Sequence, residues 1–146
     1  MPILGAVAFL LVKLVVYAAW CWVGLRLLAA PPPVSPARRA LGLALVRMAL
    51  GFGLGWLLVF GLTVAAPEQN RLGTSLAGLL LGFVLLRWLE WSFVGALAAG
   101  RARSPRDVLL GRSFKEHLWR AGGLAVSFAT DLASLLGAGA LGLIPC

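Results

Sequence analysis

The chain has 146 residues, 61% of them hydrophobic and 12% charged, with a formal net charge of +8 and a mean hydropathy of +0.95. A soluble domain of this length cannot hide so much apolar surface, which excludes an ordinary globular enzyme and points to the bilayer as solvent. The sequence pI of about 11.4 fits a nucleic-acid binder among soluble proteins, but here the bases flank apolar runs as topology signals do, so no nucleic-acid partner is expected.

Four apolar runs are each long enough to cross a hydrocarbon core, which takes about 20 residues. They predict an all-α polytopic membrane protein, with four transmembrane helices in one compact bundle over 1–146 and no soluble domain. The first helix is expected over about 3–29, ending at Pro31-Pro32-Pro33, which cannot continue a helix. It reads as a retained span. No basic segment precedes it, it exceeds the roughly 7–15 apolar residues of a signal peptide, and Lys13 and Arg26 interrupt it. The second helix is expected over about 38–66, before Pro67, and the third over about 72–99, before Gly100. The fourth is expected over about 121–144.

Between the third and fourth runs, Ser104-Pro105-Arg106-Asp107 has the form of a helix start: a serine cap, proline in the first turn and an acid at the third position. Leu110, Phe114 and Leu118 then recur at a spacing of four. This predicts a short amphipathic helix over about 105–118, lying in the membrane interface. Arg101, Arg103, Arg106, Arg112 and Lys115 are the candidate contacts to anionic lipid headgroups or to a partner. An ordinary topology-setting loop is the simpler reading of the same bases.

The loops alternate in charge. Arg38 and Arg39 lie in the first, Arg71 stands beside Glu68 in the second, and the third is rich in arginine. By the positive-inside rule the first and third loops are cytoplasmic. Both termini then face the outer, periplasmic side of a bacterial inner membrane.

The polar residues inside the runs carry the functional signal. A charge at the bilayer centre costs roughly 2.5–3.5 kcal/mol on insertion scales, so it marks a site by default. With a rise of 1.5 Å per residue, Lys13 lies roughly 15 Å from the outer end, Arg87 roughly 20 Å, Asp131 roughly 21 Å and Glu90 roughly 24 Å. Arg47, at roughly 27 Å, is near enough to the cytoplasmic side to snorkel. Without Arg47 the layer is neutral, two bases against two acids, as low-cost burial requires. Arg87 is expected near Asp131 or Glu90, Arg47 is a second candidate partner for Glu90, and Lys13 is expected to face the same interior. Tyr17 shares a stripe with Lys13. Ser127, Thr130 and Ser134 accompany Asp131 on the fourth helix and complete the candidate polar site.

Gly51 and Gly55, and Gly78 and Gly82, form small-xxx-small pairs that let helices approach closely, within the chain or between subunits. Trp88 and Trp91 flank the charges, as bulk packing or as cation–π partners. Cys21 reads as a buried, inert thiol. With no CxxC, no metal-ligand spacing and no phosphate loop, no catalytic residue, metal or cofactor is expected.

Three classes of function are compatible. In the first, transport or ion and proton coupling of a small substrate, the intramembrane acids Glu90 and Asp131 are the carriers. In the second, the chain is a structural or accessory subunit of a larger membrane complex or homo-oligomer, and the ion pairs set helix register. The third, a lipid-modifying enzyme, has least support, because Asp107 and His117 are a poor catalytic set. Transport is the leading expectation.

Overall fold

The structure, a computed structural model, describes residues 2–29, 35–65, 73–100 and 104–140, with side chains described for 5–29, 35–57, 60–61, 82–100 and 104–133. All described elements are helical: α1 (Pro2–Leu28), α2 (Pro36–Ala65), α3 (Gly73–Ala99), α4 (Pro105–Leu110) and α5 (Phe114–Ala140). Segments of α1, α2 and α3 are long and apolar enough to cross a membrane, namely Gly5–Leu28, Pro36–Leu57 and Gly82–Ala99. α5 is not among them. Its first two turns carry Lys115, Glu116, His117 and Arg120, and 141–146, where the sequence places the end of its apolar run, lie outside the described residues.

Local chemistry sets the helix ends. Ser35 precedes Pro36 at the start of α2, and its carbonyl accepts from the Arg39 N–H at 3.2 Å. Proline there is pre-organised for a first turn and gives up only an N–H that lacks an intrahelical partner anyway. α3 closes at Gly100, whose φ of +65° is the left-handed conformation that glycine takes without strain. Arg39 of α2 donates to the Leu97 carbonyl at 3.1 Å, so a cation sits on the negative end of the α3 dipole.

The single interfacial helix expected over 105–118 is divided in two, and the last long helix begins at Phe114 rather than near 121. Ser104 caps α4 by accepting from the Asp107 N–H at 3.2 Å. The break falls at Gly111, with φ +73°. Ser113 then caps α5, accepting from the Glu116 N–H at 3.3 Å, while the Glu116 carboxylate reaches back to the Arg112 N–H at 3.2 Å. A reciprocal cap of this kind satisfies two orphan donors and starts a new helix at the cost of the old one.

α1 packs on α2, α3 and α5; α2 also packs on α3, and α3 on α5 and α4. Trp119 near the start of α5 meets Trp20 in the second half of α1, and Asp131 meets Lys13 one half-helix away. α5 therefore runs antiparallel to α1. The fully buried apolar side chains lie toward one end, with Tyr17, Cys21 and Leu25 on α1 against Ala44, Trp91, Val94 and Trp119. Outside, α2 exposes Phe52, Trp56, Leu57 and Phe60 by 65–73% each. An apolar face of that kind is what lipid contact requires.

A candidate polar site at the helix junction

Five charged side chains from all four long helices form one alternating chain. Arg47 on α2 donates to Glu90 Oε2 on α3 at 2.6 Å. The same oxygen accepts from Arg87 Nη1 at 3.2 Å. Arg87 Nη2 reaches Asp131 Oδ2 on α5 at 3.1 Å, and Asp131 Oδ1 meets Lys13 Nζ on α1. Arg87 and Glu90 differ by three positions, about 60° in azimuth, so Arg87 reaches α5 while Glu90 turns to α2.

Arg47 does not snorkel; it is fully buried and takes Glu90, its candidate partner, as its ion pair. Its guanidinium lies between two rings, 5.2 Å from the centroids of Tyr17 and Trp91, and its Nη2 also donates to Ser127 Oγ at 3.2 Å. Cation–π contact and a carboxylate partner hold the charge away from water. Once Arg47 belongs to the chain, the set is not neutral. Three bases face two carboxylates, with one positive charge in excess.

Ser127 is the hub. Tyr17 OH, Arg47 Nη2 and Trp91 Nε1 converge on its hydroxyl at 3.3, 3.2 and 3.0 Å, and it donates to the Gly123 carbonyl at 2.9 Å. Three donors exceed the two lone pairs of a hydroxyl, so they share it. Thr130 turns to its own helix, on the Val126 and Ser127 carbonyls, and takes no part in the chain. The side chain of Ser134 and the surroundings of Gly78 lie outside the described ones, as do Arg101 and Arg103 altogether.

Burial falls off along the chain. The Arg47 and Glu90 side chains are sealed, whereas Lys13 is 14% and Asp131 32% exposed. Against the open end lies a cleft of about 450 Å³ between α1 and α2, lined by Phe9, Leu10, Lys13, Tyr17, Arg47, Met48, Gly51, Phe52 and Arg87 among others. Arg47 Nε and Nη1 and Arg87 Nε are buried donors with no partner, and Glu90 Oε1 is a buried acceptor with none.

The glycines divide by what faces them. A Cβ on Gly51 would lie 2.8 Å from Arg47 Nη1 and 2.9 Å from Arg87 Nη1, so this position makes room for guanidiniums, not for a neighbouring backbone. Gly55 meets nothing within 4 Å among the described residues, so within the described part of this chain the Gly51/Gly55 pair brings no neighbouring helix close. Gly82 is half-buried. The close approaches are elsewhere. Gly24 lies under the Trp119 ring, Gly122 under Trp20 and Gly123 under Trp91. Trp20 and Trp119 also donate their indole N–H groups to each other's carbonyl, at 3.1 and 3.2 Å.

A second buried ion pair was not anticipated. Arg120 and Glu116 on α5 pair with almost no exposure, and Arg120 also donates to Ser92 Oγ and to the Leu109 carbonyl of α4, both at 2.9 Å. It pins α4 against α3 and α5. The signal is an acid four residues before a base, but Glu116 falls near the end of the expected interfacial helix and Arg120 just before the expected fourth span, where both read as interfacial rather than buried.

Comparison with protein families, with curated proteins and with solved structures finds no match to this chain.

The site thus stands on its own geometry. Among the described residues no group of three His, Cys, Asp or Glu side chains could hold a metal ion. Asp107 pairs with Arg112 at 3.8 Å at the surface, and His117 stacks on Trp88 with ring centroids 6.2 Å apart, so each is held by a different neighbour. What the junction does is hold paired charge inside an apolar surround, with its Lys13–Asp131 end partly exposed.

Proposed function

We propose that the chain is a four-span protein of a bacterial inner membrane, with α1, α2, α3 and α5 crossing and the arginine-rich loops on the cytoplasmic side, and that its charge junction serves transport or ion coupling of a small substrate. The observation that carries this reading is the gradient of burial, from a sealed Arg47–Glu90 pair to a partly exposed Lys13–Asp131 pair whose Lys13 lines an open cleft. A partly exposed intramembrane acid can take up and release a proton, while its arginine neighbours keep the rest of the junction in place. The test is flux in proteoliposomes with an internal pH-sensitive dye. Asp131→Asn should remove proton-dependent flux and leave a monodisperse protein; unchanged flux refutes the reading.

A second reading, a structural or accessory subunit, draws on the Arg47–Glu90 pair itself, since a closed ion pair fixes register between α2 and α3. Gly42 and Gly53 share one face of α2 and meet nothing within 4 Å among the described residues, which leaves that face free for a neighbour or for lipid. Failure of both Glu90→Gln and Asp131→Asn to assemble would favour it.

A further inference from the structure

The cleft beside the junction continues into a second, largely apolar groove of about 290 Å³, whose described lining is Gly51, Phe52, Gly55, Trp56 and Phe83. Gly51 and Phe52 line both, so the two spaces are contiguous along α2. Among the described residues, the first is lined by Lys13, Arg47 and Arg87 and by no acid, and the second by no charged side chain. The junction holds one more base than it has carboxylates, and its unfilled polar atoms are three donor nitrogens, on Arg47 and Arg87, against one acceptor, Glu90 Oε1. Buried donors of this kind call for an oxyanion. Leu10 and Phe52 at the mouth are 49% and 73% exposed, so the entrance is apolar and, in a membrane, opens sideways to lipid.

We infer that the cleft and groove together bind a single-chain anionic amphiphile, its carboxylate or phosphate head against Lys13, Arg47 and Arg87 and its chain along Gly51, Gly55 and Trp56. Gly51 and Gly55 are the enabling residues. The first leaves the guanidiniums in touch with the cleft wall, and the second has nothing within 4 Å among the described residues, which leaves the groove floor without a side chain there. The first space alone falls in the range of about 300–1,000 Å³ that suits small-molecule sites. This names a ligand class for the same junction and rests on the membrane placement proposed above, not on coupled flux.

The experiment places the full chain in phosphatidylcholine nanodiscs and follows tryptophan quenching by 11-bromoundecanoate, with no gradient. The expected result is a saturable component, weakened at least tenfold by Lys13→Met and by Gly55→Leu. Gly55→Leu fills the groove without touching a charge, so it decides the matter if Lys13→Met fails to assemble. Equal and non-saturating quenching by a trimethylammonium analogue of the same chain overturns the inference, as does an affinity unmoved by Gly55→Leu. Full competition by butyrate or inorganic phosphate also overturns it, because the anion would then be a soluble one. Binding without flux would refute transport and leave this site standing; flux without binding would do the reverse.

Discussion

Arg47 and Glu90 meet at 2.6 Å across α2 and α3 with neither side chain exposed. Removing one partner of a buried pair strands the other charge, which costs about 3–5 kcal/mol in protein interiors. Glu90→Gln should therefore lower the apparent melting temperature, followed by tryptophan fluorescence in detergent, more than Asp131→Asn, because Asp131 is one-third exposed. The double variant Arg47→Met/Glu90→Met should recover part of the loss of either single change. Additive losses would mean that the pair carries no coupling.

Trp20 and Trp119 hold α1 and α5 in close contact. Each ring covers a glycine of the other helix, Gly24 or Gly122, and each indole N–H reaches the other helix's backbone. Gly24→Ala puts a Cβ 2.5 Å from the Trp119 ring, an overpacking that typically costs about 1–3 kcal/mol. Gly53→Ala meets nothing within 4 Å and should instead be neutral or stabilising by about 0.5–1 kcal/mol, the helix-interior difference between these residues. Thermal unfolding of the two variants side by side checks the ordering.

Ser127→Ala leaves Tyr17, Arg47 and Trp91 without the acceptor they share. The expected loss is about 1–3 kcal/mol, the cost of unsatisfied buried donors, and Ser127→Thr, which keeps the hydroxyl, should lose less. Because the Trp91 indole loses its hydrogen bond, the emission spectrum should shift in Ser127→Ala and not in Ser127→Thr.

Gly111→Ala forces a side chain into φ +73° and places its Cβ 3.0 Å from the His117 ring. A left-handed alanine costs roughly 1–2 kcal/mol, and the elbow between α4 and α5 should loosen or straighten. Spin labels at Arg106 and Lys115 should report a broader distance distribution than in the parent chain; an unchanged distribution would show that the Arg120 contact to Leu109 alone holds the elbow.

The helical class was legible from composition, and α1, α2 and α3 end within a few residues of Pro31, Pro67 and Gly100. What was legible of the junction was its depth. Lys13, Arg87, Glu90 and Asp131 could be set at one level by counting residues, and the structure brings them together. Arg47 was legible as a candidate partner for Glu90, and the two do pair, but depth alone also allows it to snorkel. Its burial follows from the rotation of α2, which aims it between Tyr17 and Trp91. The break at Gly111 was hidden because Leu110, Phe114 and Leu118 keep a helical spacing across it, and all three are exposed on either side of the elbow.

By itself the sequence determined quantities that run along one helix: length, apolar character, end signals, and the height of each charge. These depend on local chemistry and on a constant rise per residue. The tertiary structure alone decided which partner each charge takes, that Gly24 receives a tryptophan while Gly55 faces open space, and that Arg120 and Glu116 are core residues. Those outcomes depend on how one helix is rotated against another, a relation between distant parts of the chain that no local pattern encodes.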